Sequence, residues 1–323
     1  MPSPLPSWRP GAIRDAILEF VDAVTTTGPD FVPEPERVAV FDNDGTLWCE
    51  QPVQNQIAFS QDRLKALARA NPSLADRQPF KAFIEHDLET IKSLGKKGVF
   101  EVAFSVHAGM TTEAFRETAQ RWLSEARHPR FGRRYLDLVY QPQIELLSFL
   151  RANGFQTWIV SGGGAEFIRT FAETRYGIPP AQVIGSTVRT QVQEIQGRLE
   201  LLKLAQLDSF DDREVKVENI GLHIGQRPIL AVGNSDGDLA MMRYTLSGSG
   251  RGLALLIHHD DDDREIAYDR DFRLSPLVEA LDYCDAYGLR RVSVARDWAV
   301  VFPQIDDDAT TPRASQKASP IRK

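Results

Sequence analysis

The chain contains little cysteine and no apolar run long enough to span a membrane. Its 323 residues include only two cysteines, Cys49 and Cys284, which excludes a disulfide framework and a zinc site built on paired cysteines. The first apolar stretch, residues 13–24, is interrupted by four charged side chains. Such a pattern is typical of an amphipathic helix. We therefore expect a cytoplasmic protein that does not associate with membranes.

An excess of basic charge is also missing. Lys and Arg total 38 against 45 for Asp and Glu, so the formal net charge is -7. Binding to the phosphates of a nucleic acid requires a basic face, so this balance argues against nucleic acid as the main partner. A small phosphorylated substrate held in a local basic pocket remains compatible with it. The apolar content of 42% is ordinary for a globular protein.

Short apolar runs alternate with segments of helical periodicity. Strands are predicted at residues 38–41, 157–160, 183–186, 229–232 and 253–257. Helices are predicted at residues 11–26, 143–153, 165–176, 215–224 and from Leu239 onward, and a hairpin at 187–201 turns near Gly197. Alternating strands and helices indicate an α/β fold, a Rossmann-like parallel sheet with helices on both faces.

Residues 53–138 show helical patterns and little that resembles a buried strand. Apolar residues have helical spacing at 57–70, 80–94 and 112–126, with Thr111 or Thr112 able to cap the last helix. We therefore predict three parts: a core of residues 1–48 and 139–305, an inserted helical domain of residues 49–138, and a disordered tail of residues 306–323.

Two carboxylates, Asp42 and Asp44, follow the first predicted strand. Like charges this close disfavour joint ionisation unless a cation or strong donors compensate them. The pair is therefore a candidate metal site that also contains a nucleophile or an acid/base. A plain Asp-Gly turn is the alternative. A calcium loop fits less well, because Gly45 comes too early and no glutamate occupies the closing position.

Two further loops carry chemistry at strand ends. Residues 161–164, Ser-Gly-Gly-Gly, suit either a phosphate cradle or a turn that lets a strand and a helix pack. Residues 233–238 offer oxygen ligands for Mg²⁺ from Asn234, Asp236 and Asp238, or form a turn that ends in a helix cap. All these loops follow strands of a parallel sheet, so they can converge at one edge.

Lys216 is a candidate cationic partner for these loops. It lies near the start of the helix before the 229–232 strand, where an ammonium group can neutralise carboxylates or a phosphoryl group. The alternative is an ordinary solvated lysine.

Together these residues resemble the haloacid dehalogenase superfamily of hydrolases. Residues 42–46 match its first motif, Ser161 its second, Lys216 its third and residues 233–238 its fourth, in the family's order. The sequence around Ser161 and the position of the helical insert are most similar to the phosphoserine-phosphatase branch, which carries a helical cap just after the first motif. The chain departs from the family at Asn234, where an acidic residue is usual, and at Asn43, where an apolar one is common.

The resemblance implies a magnesium-dependent phosphomonoester hydrolase that acts through an aspartyl-phosphate. Asp42 would be the nucleophile and Asp44 the general acid and base. Phosphate contacts would come from Asn43, Gly45, Thr46, Ser161, Gly162 and Lys216. Mg²⁺ would be held by Asp42, Asp44, Asn234 and Asp238, with Asp236 as a further possible ligand.

The substrate implied is a small phosphorylated metabolite such as phosphoserine. Candidates for substrate contact in the insert are Lys96, Lys97, Phe100, Phe104, Trp122, Arg133 and Arg134, while His107, His258 and His259 are not needed by this mechanism. The acidic run 260–263 suits either a cation site or, more commonly, a solvated loop. A phosphotransferase or another hydrolase on the same scaffold is one alternative. A catalytically inactive binding or regulatory protein is another, and Asn234 is the feature that favours it.

Overall fold

A seven-stranded sheet forms the centre of the molecule. The computed structural model describes residues 4–85 and 87–304. The strands are β1 (Val38–Phe41), β2 (Gln156–Gly164), β3 (Val183–Ile195), β4 (Arg198–Ser209), β5 (Leu230–Gly233), β6 (Leu253–His258) and β7 (Arg290–Ser293). Their order is β4-β3-β2-β1-β5-β6-β7, and only the β3–β4 pair is antiparallel. The predicted α/β fold is confirmed, with β7 as an unpredicted edge strand.

Helices cover both faces of the sheet, as predicted. The helices of four or more residues outside the insert are α1 (Ala12–Thr25), α7 (Gln141–Ala152), α8 (Ala165–Arg169), α9 (Ala172–Tyr176), α10 (Glu214–His223), α11 (Leu239–Leu246), α12 (Glu279–Asp282) and α13 (Val294–Asp297). Side chains alternate between the faces of a strand. Ala39 and Phe41 of β1 therefore pack with α1, α7, α8 and α9, whereas Val38 and Val40 pack with α10 and α11.

The segment between β1 and α7 is helical, as its periodicity predicts. It contains α2 (Asn55–Ala70), α3 (Phe80–Glu85), α4 (Leu88–Ser93), α5 (Gly95–Ser105) and α6 (Thr112–Glu125). Thr111 caps α6, because its side chain accepts a hydrogen bond from Ala114 N at 3.1 Å. The helix predicted at 80–94 is wrong as one unit, since α3 and α4 are separate. Helix α5 was not predicted, because Gly95 and Gly98 weaken its helical signal.

The insert has an apolar cluster of its own, centred on residues such as Ile57, Leu64 and Phe100. Part of the β3–β4 hairpin packs against this cluster through Val188 and Leu207. The division into a core and a cap stays a prediction, and the tail predicted at 306–323 lies outside the described residues. Among the described residues, no helix is long and apolar enough to cross a membrane.

The glycine-rich segment after Ser161 was predicted to be a loop, but in the structure it is the end of a strand. Strand β2 continues to Gly164, and its register with β3 shifts between Ser161 and Gly164. A Cβ on Gly185 of β3 would lie 2.7 Å from Gly163 O, so this close approach requires glycine. The helix predicted at 165–176 is likewise two short helices, α8 and α9.

Candidate active site

Three strand ends come together at the carboxyl edge of the sheet. Strand β1 lies between β2 and β5, so Asp42, Ser161 and the loop after Gly233 are neighbours. Asp42 N donates to Val232 O at 2.9 Å, which fixes the chain where β1 ends. The pocket at this edge is lined by residues that include Asp42, Asp44, Ser161, Gly162, Lys216 and Asp238.

Lys216 is buried in this pocket, so the solvated-lysine alternative is wrong. Its side chain is 2% exposed, and Nζ donates to Asp42 Oδ1 at 2.8 Å, to Asp238 Oδ1 at 2.6 Å and to Val160 O at 2.8 Å. An ammonium group has three donors, and all three have acceptors here. Lys216 therefore joins the first and fourth motifs through one buried cation.

Negative charge exceeds positive charge in the pocket. Burial and, next, the Asp238 carboxylate raise the pKa of Asp42 to about 8, against the opposing effect of Lys216. Burial and the Glu50 carboxylate raise the pKa of Asp44 to about 7. A carboxyl group with a pKa near neutrality exchanges a proton at working pH, as an acid/base catalyst must.

Glu50 is a buried carboxylate at the site that the sequence reasoning missed. It is fully buried and accepts hydrogen bonds from Asn234 Nδ2 (2.8 Å), Tyr268 OH (2.8 Å), Gln54 Nε2 (2.9 Å) and Ser275 Oγ (3.1 Å). The sequence contained one indication of this role, namely that Glu50 is an acidic residue close behind the first motif.

Glu50 gives a physical reason for Asn234. An aspartate at position 234 would place a second carboxylate against Glu50, whereas the asparagine amide donates to it. The amide oxygen of Asn234 accepts from Thr46 Oγ1 at 3.2 Å. The hydrogen bond from Asn234 to Glu50 therefore joins the fourth motif to the segment after the first motif.

His259 supports the first motif from behind. Its Nε2 lies 2.7 Å from Gly45 O, and its Nδ1 lies 2.7 Å from Glu265 Oε2. Burial lowers the pKa of His259, but Glu265, the Gly45 carbonyl and Glu50 together outweigh burial, so the net shift is upward. A charged His259 donates to both oxygens. The sequence reasoning gave this residue no role, because Glu265 and Gly45 are its neighbours only in the folded chain.

The acidic residues of the fourth motif hold its loop in shape. Asp238 Oδ2 accepts from Asn234 N (2.9 Å), Ser235 N (3.0 Å) and Ser235 Oγ (3.1 Å), while its other oxygen binds Lys216. Asp236 accepts from the backbone amides of Val278, Glu279 and Ala280. Asp236 therefore anchors the segment that leads into α12.

Several predicted phosphate contacts are already used inside the first motif. Gly45 N donates to Trp48 O at 2.9 Å, and Thr46 N donates to Asn43 O at 3.2 Å. The Asn43 side chain accepts from Tyr176 OH at 3.2 Å and is fully buried. Ser161 Oγ lines the pocket and accepts from Gly163 N at 3.1 Å.

Of the insert residues suggested for substrate contact, Lys96 and Phe100 of α5 line the pocket. Lys96 Nζ lies 2.7 Å from Asp212 Oδ1. Arg133 and Arg134 bind the backbone oxygen and the carboxylate of Asp137, respectively. Lys97, Phe104 and Trp122 are not among the residues that line this pocket. The free volume is about 20 Å³, room for little more than a water molecule.

The donors in the pocket suit a magnesium ion only in part. Within the described ranges, no three His, Cys, Asp or Glu side chains are arranged to hold a metal. Mg²⁺ binds through one or two carboxylates and keeps several waters, so a full cage of side chains is not needed. Burial, followed by the neighbouring carboxylates, raises the pKa of Asp42 and of Asp44, and a divalent cation would favour the ionised form of both. The residues therefore fit the ion as part of its ligand shell, with water as the remainder.

Gly45 gives a test of how tightly this arrangement is packed. Its φ is +74°, and a Cβ there would lie 2.1 Å from Asn234 Nδ2 and 2.5 Å from Glu50 Oε1. We expect Gly45→Ala to lower the free energy of unfolding by about 2–4 kcal/mol, from backbone strain plus the collision. Urea denaturation measures it.

Gly109→Ala is the matched control for Gly45→Ala. Gly109 has a φ of +81°, but nothing lies within 4 Å of its added Cβ. It should lose only the backbone contribution, about 1 kcal/mol. Equal losses in the two variants would show that the Asn234–Glu50 contact is not rigid.

Comparison with known proteins agrees with this geometry. Residues 39–243 match the family of haloacid dehalogenase-like hydrolases. That range holds all four motifs and covers more than half of the chain, so the chain belongs to this family. No curated protein sequence matches it.

Solved structures share the fold at low sequence identity. A functionally unknown protein from Anaerococcus prevotii DSM 20548 is 16% identical, with a TM-score of 0.55 and coverage of 87% of this chain and 91% of that one. A protein of unknown function from Bordetella pertussis Tohama I is 14% identical, with a TM-score of 0.50 and coverage of 80% and 98%. A phosphoserine phosphohydrolase-like protein from Francisella tularensis subsp. tularensis SCHU S4 is 16% identical, with a TM-score of 0.41 and coverage of 77% and 98%.

Proposed function

We propose that this protein is a magnesium-dependent phosphomonoester hydrolase that works through an aspartyl-phosphate. The observation that carries the proposal is the contact of Lys216 with Asp42, in a pocket shared with Asp44 and Ser161. A nucleophile, an acid/base with a pKa of about 7 and donors for phosphoryl oxygens thus lie in one pocket.

The first half of the reaction transfers the phosphoryl group to the protein. An oxygen of Asp42 attacks phosphorus, and the bond from phosphorus to the leaving oxygen breaks. Asp44 donates its proton to that leaving oxygen, which departs as the alcohol. Ser161 and the amide of Gly162 bind the phosphoryl oxygens, and Lys216 joins them by exchanging one of its three present acceptors for a phosphoryl oxygen. Burial and the Glu50 carboxylate raise the pKa of Asp44 to about 7, so it can hold the proton that it donates. Asp42 attacks in its ionised form, which the contact with Lys216 favours.

The second half returns the protein to its starting state. Asp44, now ionised, takes a proton from a water molecule, whose oxygen attacks phosphorus. The bond between phosphorus and Asp42 breaks, and inorganic phosphate leaves.

Mg²⁺ would be held by the Asp42 carboxylate, the Asp44 backbone carbonyl and the Asn234 amide oxygen. Bound there, it would offset negative charge on the phosphoryl oxygens and on the carboxylates. We do not include Asp238, although its position in the fourth motif suggested it, because its oxygens already accept from Lys216, two backbone amides and Ser235. Asp236 is likewise committed to backbone amides.

The proposal is tested by phosphate release from para-nitrophenyl phosphate with Mg²⁺ and with EDTA. We expect turnover with Mg²⁺ and a loss of at least about 100-fold when the ion is chelated, because the carboxylates then repel the phosphate. Turnover that is equal in both conditions would contradict the magnesium site. Retained binding of a phosphate analogue without turnover would favour the inactive binding protein instead.

A further inference from the structure

A second cavity adjoins the candidate active site. Its volume is about 290 Å³, close to the lower end of the range for small-molecule sites. It lies between the insert, the end of β2 and the β3–β4 hairpin. Nothing in the mechanism above uses it.

The cavity begins at Gly164, which follows Gly163, a residue close to the Asp44 side chain. A Cβ on Gly163 would lie 3.1 Å from Asp44 Oδ2, and the next residue, Gly164, lines the cavity. Helix α5 contributes to both spaces. Its Phe100 lines the catalytic pocket, and its Phe104, one turn later, lines the cavity. The group that protonates the leaving oxygen is therefore beside this space.

The apolar part of the wall is aromatic. Phe104, Phe115 and Phe167 line the cavity. Phe104 comes from α5, Phe115 from α6 and Phe167 from α8, so rings surround the space from three elements. Aromatic walls bind planar rings through burial of apolar surface and through edge or face contacts.

The charged side chains of the wall have partners of their own. Lys203 Nζ contacts Glu166 Oε2, and Lys203 also lies 4.3 Å from the ring centre of Phe115. Arg169 donates to the backbone oxygens of Pro180 and Val183. The charges are balanced within the wall, so an uncharged ligand suits the cavity better than an ion.

A buried polar atom of the lining residue His107 lacks a partner among the described residues. His107 is 1% exposed, and no described group hydrogen-bonds its Nδ1, while its Nε2 lies 3.4 Å from Ser60 Oγ. Burial, followed by Lys203 and Arg63, lowers the pKa of His107 to about 3, so the imidazole is neutral. An unpaired buried polar group costs free energy unless a ligand or a water binds it.

We propose that this cavity binds the leaving group of the substrate, and that the substrate is a phosphomonoester of an uncharged alcohol that carries an aromatic ring with a hydrogen-bonding substituent. The ring packs against the three phenylalanines, and the substituent bonds to His107 Nδ1. This inference rests on the proposed function, because it assigns the alcohol side of the same reaction.

The test compares esters whose reacting bonds are alike. Propyl phosphate and 2-phenylethyl phosphate are both primary alkyl esters and differ in the ring. We expect kcat/KM to be at least about tenfold higher for the phenylethyl ester, because burying a ring stabilises the bound state. Equal values would overturn the ring site. Among ring-hydroxylated phenylethyl phosphates, at least one isomer should gain several-fold more, and His107→Phe should remove that gain; no gain would overturn the hydrogen bond.

Two variants of β3 locate the effect. Thr190 lines the cavity, and Val192 is two residues further along β3, outside the lining and 61% exposed. Thr190→Trp fills the cavity and should lower the preference for the phenylethyl ester at least fivefold, whereas Val192→Trp should not change it. A preference that survives Thr190→Trp would show that the ring binds elsewhere.

Acetyl phosphate separates a failure of the cavity assignment from a failure of the proposed hydrolase function. It is a phosphoryl donor too small to reach into the cavity, so its hydrolysis by the wild type reports the catalytic pocket alone. If the wild type hydrolyses acetyl phosphate but shows no ring preference, the cavity assignment fails and the hydrolase remains. If neither acetyl phosphate nor any ester is hydrolysed, the proposed function itself fails.

Discussion

Asp42→Asn is expected to lower kcat for phosphomonoesters by at least about 10⁴-fold, because an amide oxygen is a poor nucleophile and cannot form the aspartyl-phosphate. The fold should survive. Asparagine has nearly the same shape as aspartate and still accepts from Lys216, and the substitution removes one of the like charges in the pocket. Steady-state phosphate release measures the loss, and circular dichroism checks the fold.

A second readout follows the covalent intermediate directly. Wild-type protein quenched in acid during turnover should carry one phosphoryl group in intact-mass spectra, and Asp42→Asn should carry none. The matched control is Asp211→Asn, since Asp211 is also fully buried and bonds to Asn219 at 2.8 Å. It should keep activity within about tenfold. A phosphorylated Asp42→Asn protein would assign the nucleophile to another residue.

Lys216→Met is expected to lower the free energy of unfolding by about 3–5 kcal/mol, because it leaves the carboxylates of Asp42 and Asp238 buried without their cation. Methionine keeps most of the volume of the side chain, so the loss reports mainly the charge. Urea denaturation without metal measures it. The Lys96–Asp212 pair, which is partly exposed, provides the control: Lys96→Met should cost at most about 1 kcal/mol.

The cost of Lys216→Met should grow as pH rises. The pKa of Asp42 is raised to about 8 in the folded protein, so Asp42 binds a proton in the folded state at pH values where the unfolded chain has lost it. Stability from this group is therefore lost in both proteins as pH rises from the ordinary aspartate pKa towards about 8. Lys216 lowers the pKa of Asp42, so without it the loss continues above about pH 8 and the two proteins diverge. At about pH 6 a neutral Asp42 tolerates the missing cation better than at about pH 9. A cost independent of pH would show that Asp42 does not titrate in this range.

The sequence by itself determined the sheet and most of the chemistry. Runs such as residues 38–41 are apolar throughout because these strands are buried on both faces, and that pattern is local. Asp42, Asp44 and Ser161 were predicted to meet because strand ends of a parallel sheet lie at one edge, so their nearness follows from topology alone. Lys216 lies on a helix, and it was included as the missing cation and as the match to the family's third motif. The end of β2 was wrong, since a glycine run after an apolar strand reads as a loop.

The tertiary structure decided how the charges are balanced. Asn234 departs from the family's fourth motif, and the reason lies in Glu50, 184 residues earlier in the chain, which accepts a hydrogen bond from it. Lys216 is buried only because its three acceptors come from three separate segments. The cavity beside Asp44 has the same origin, since its walls come from the insert, β2 and the hairpin. Local periodicity reports which side chains face a core, but not which distant side chains meet there. Hydrogen bonds and ion pairs depend on distances of a few ångströms that only the folded chain sets.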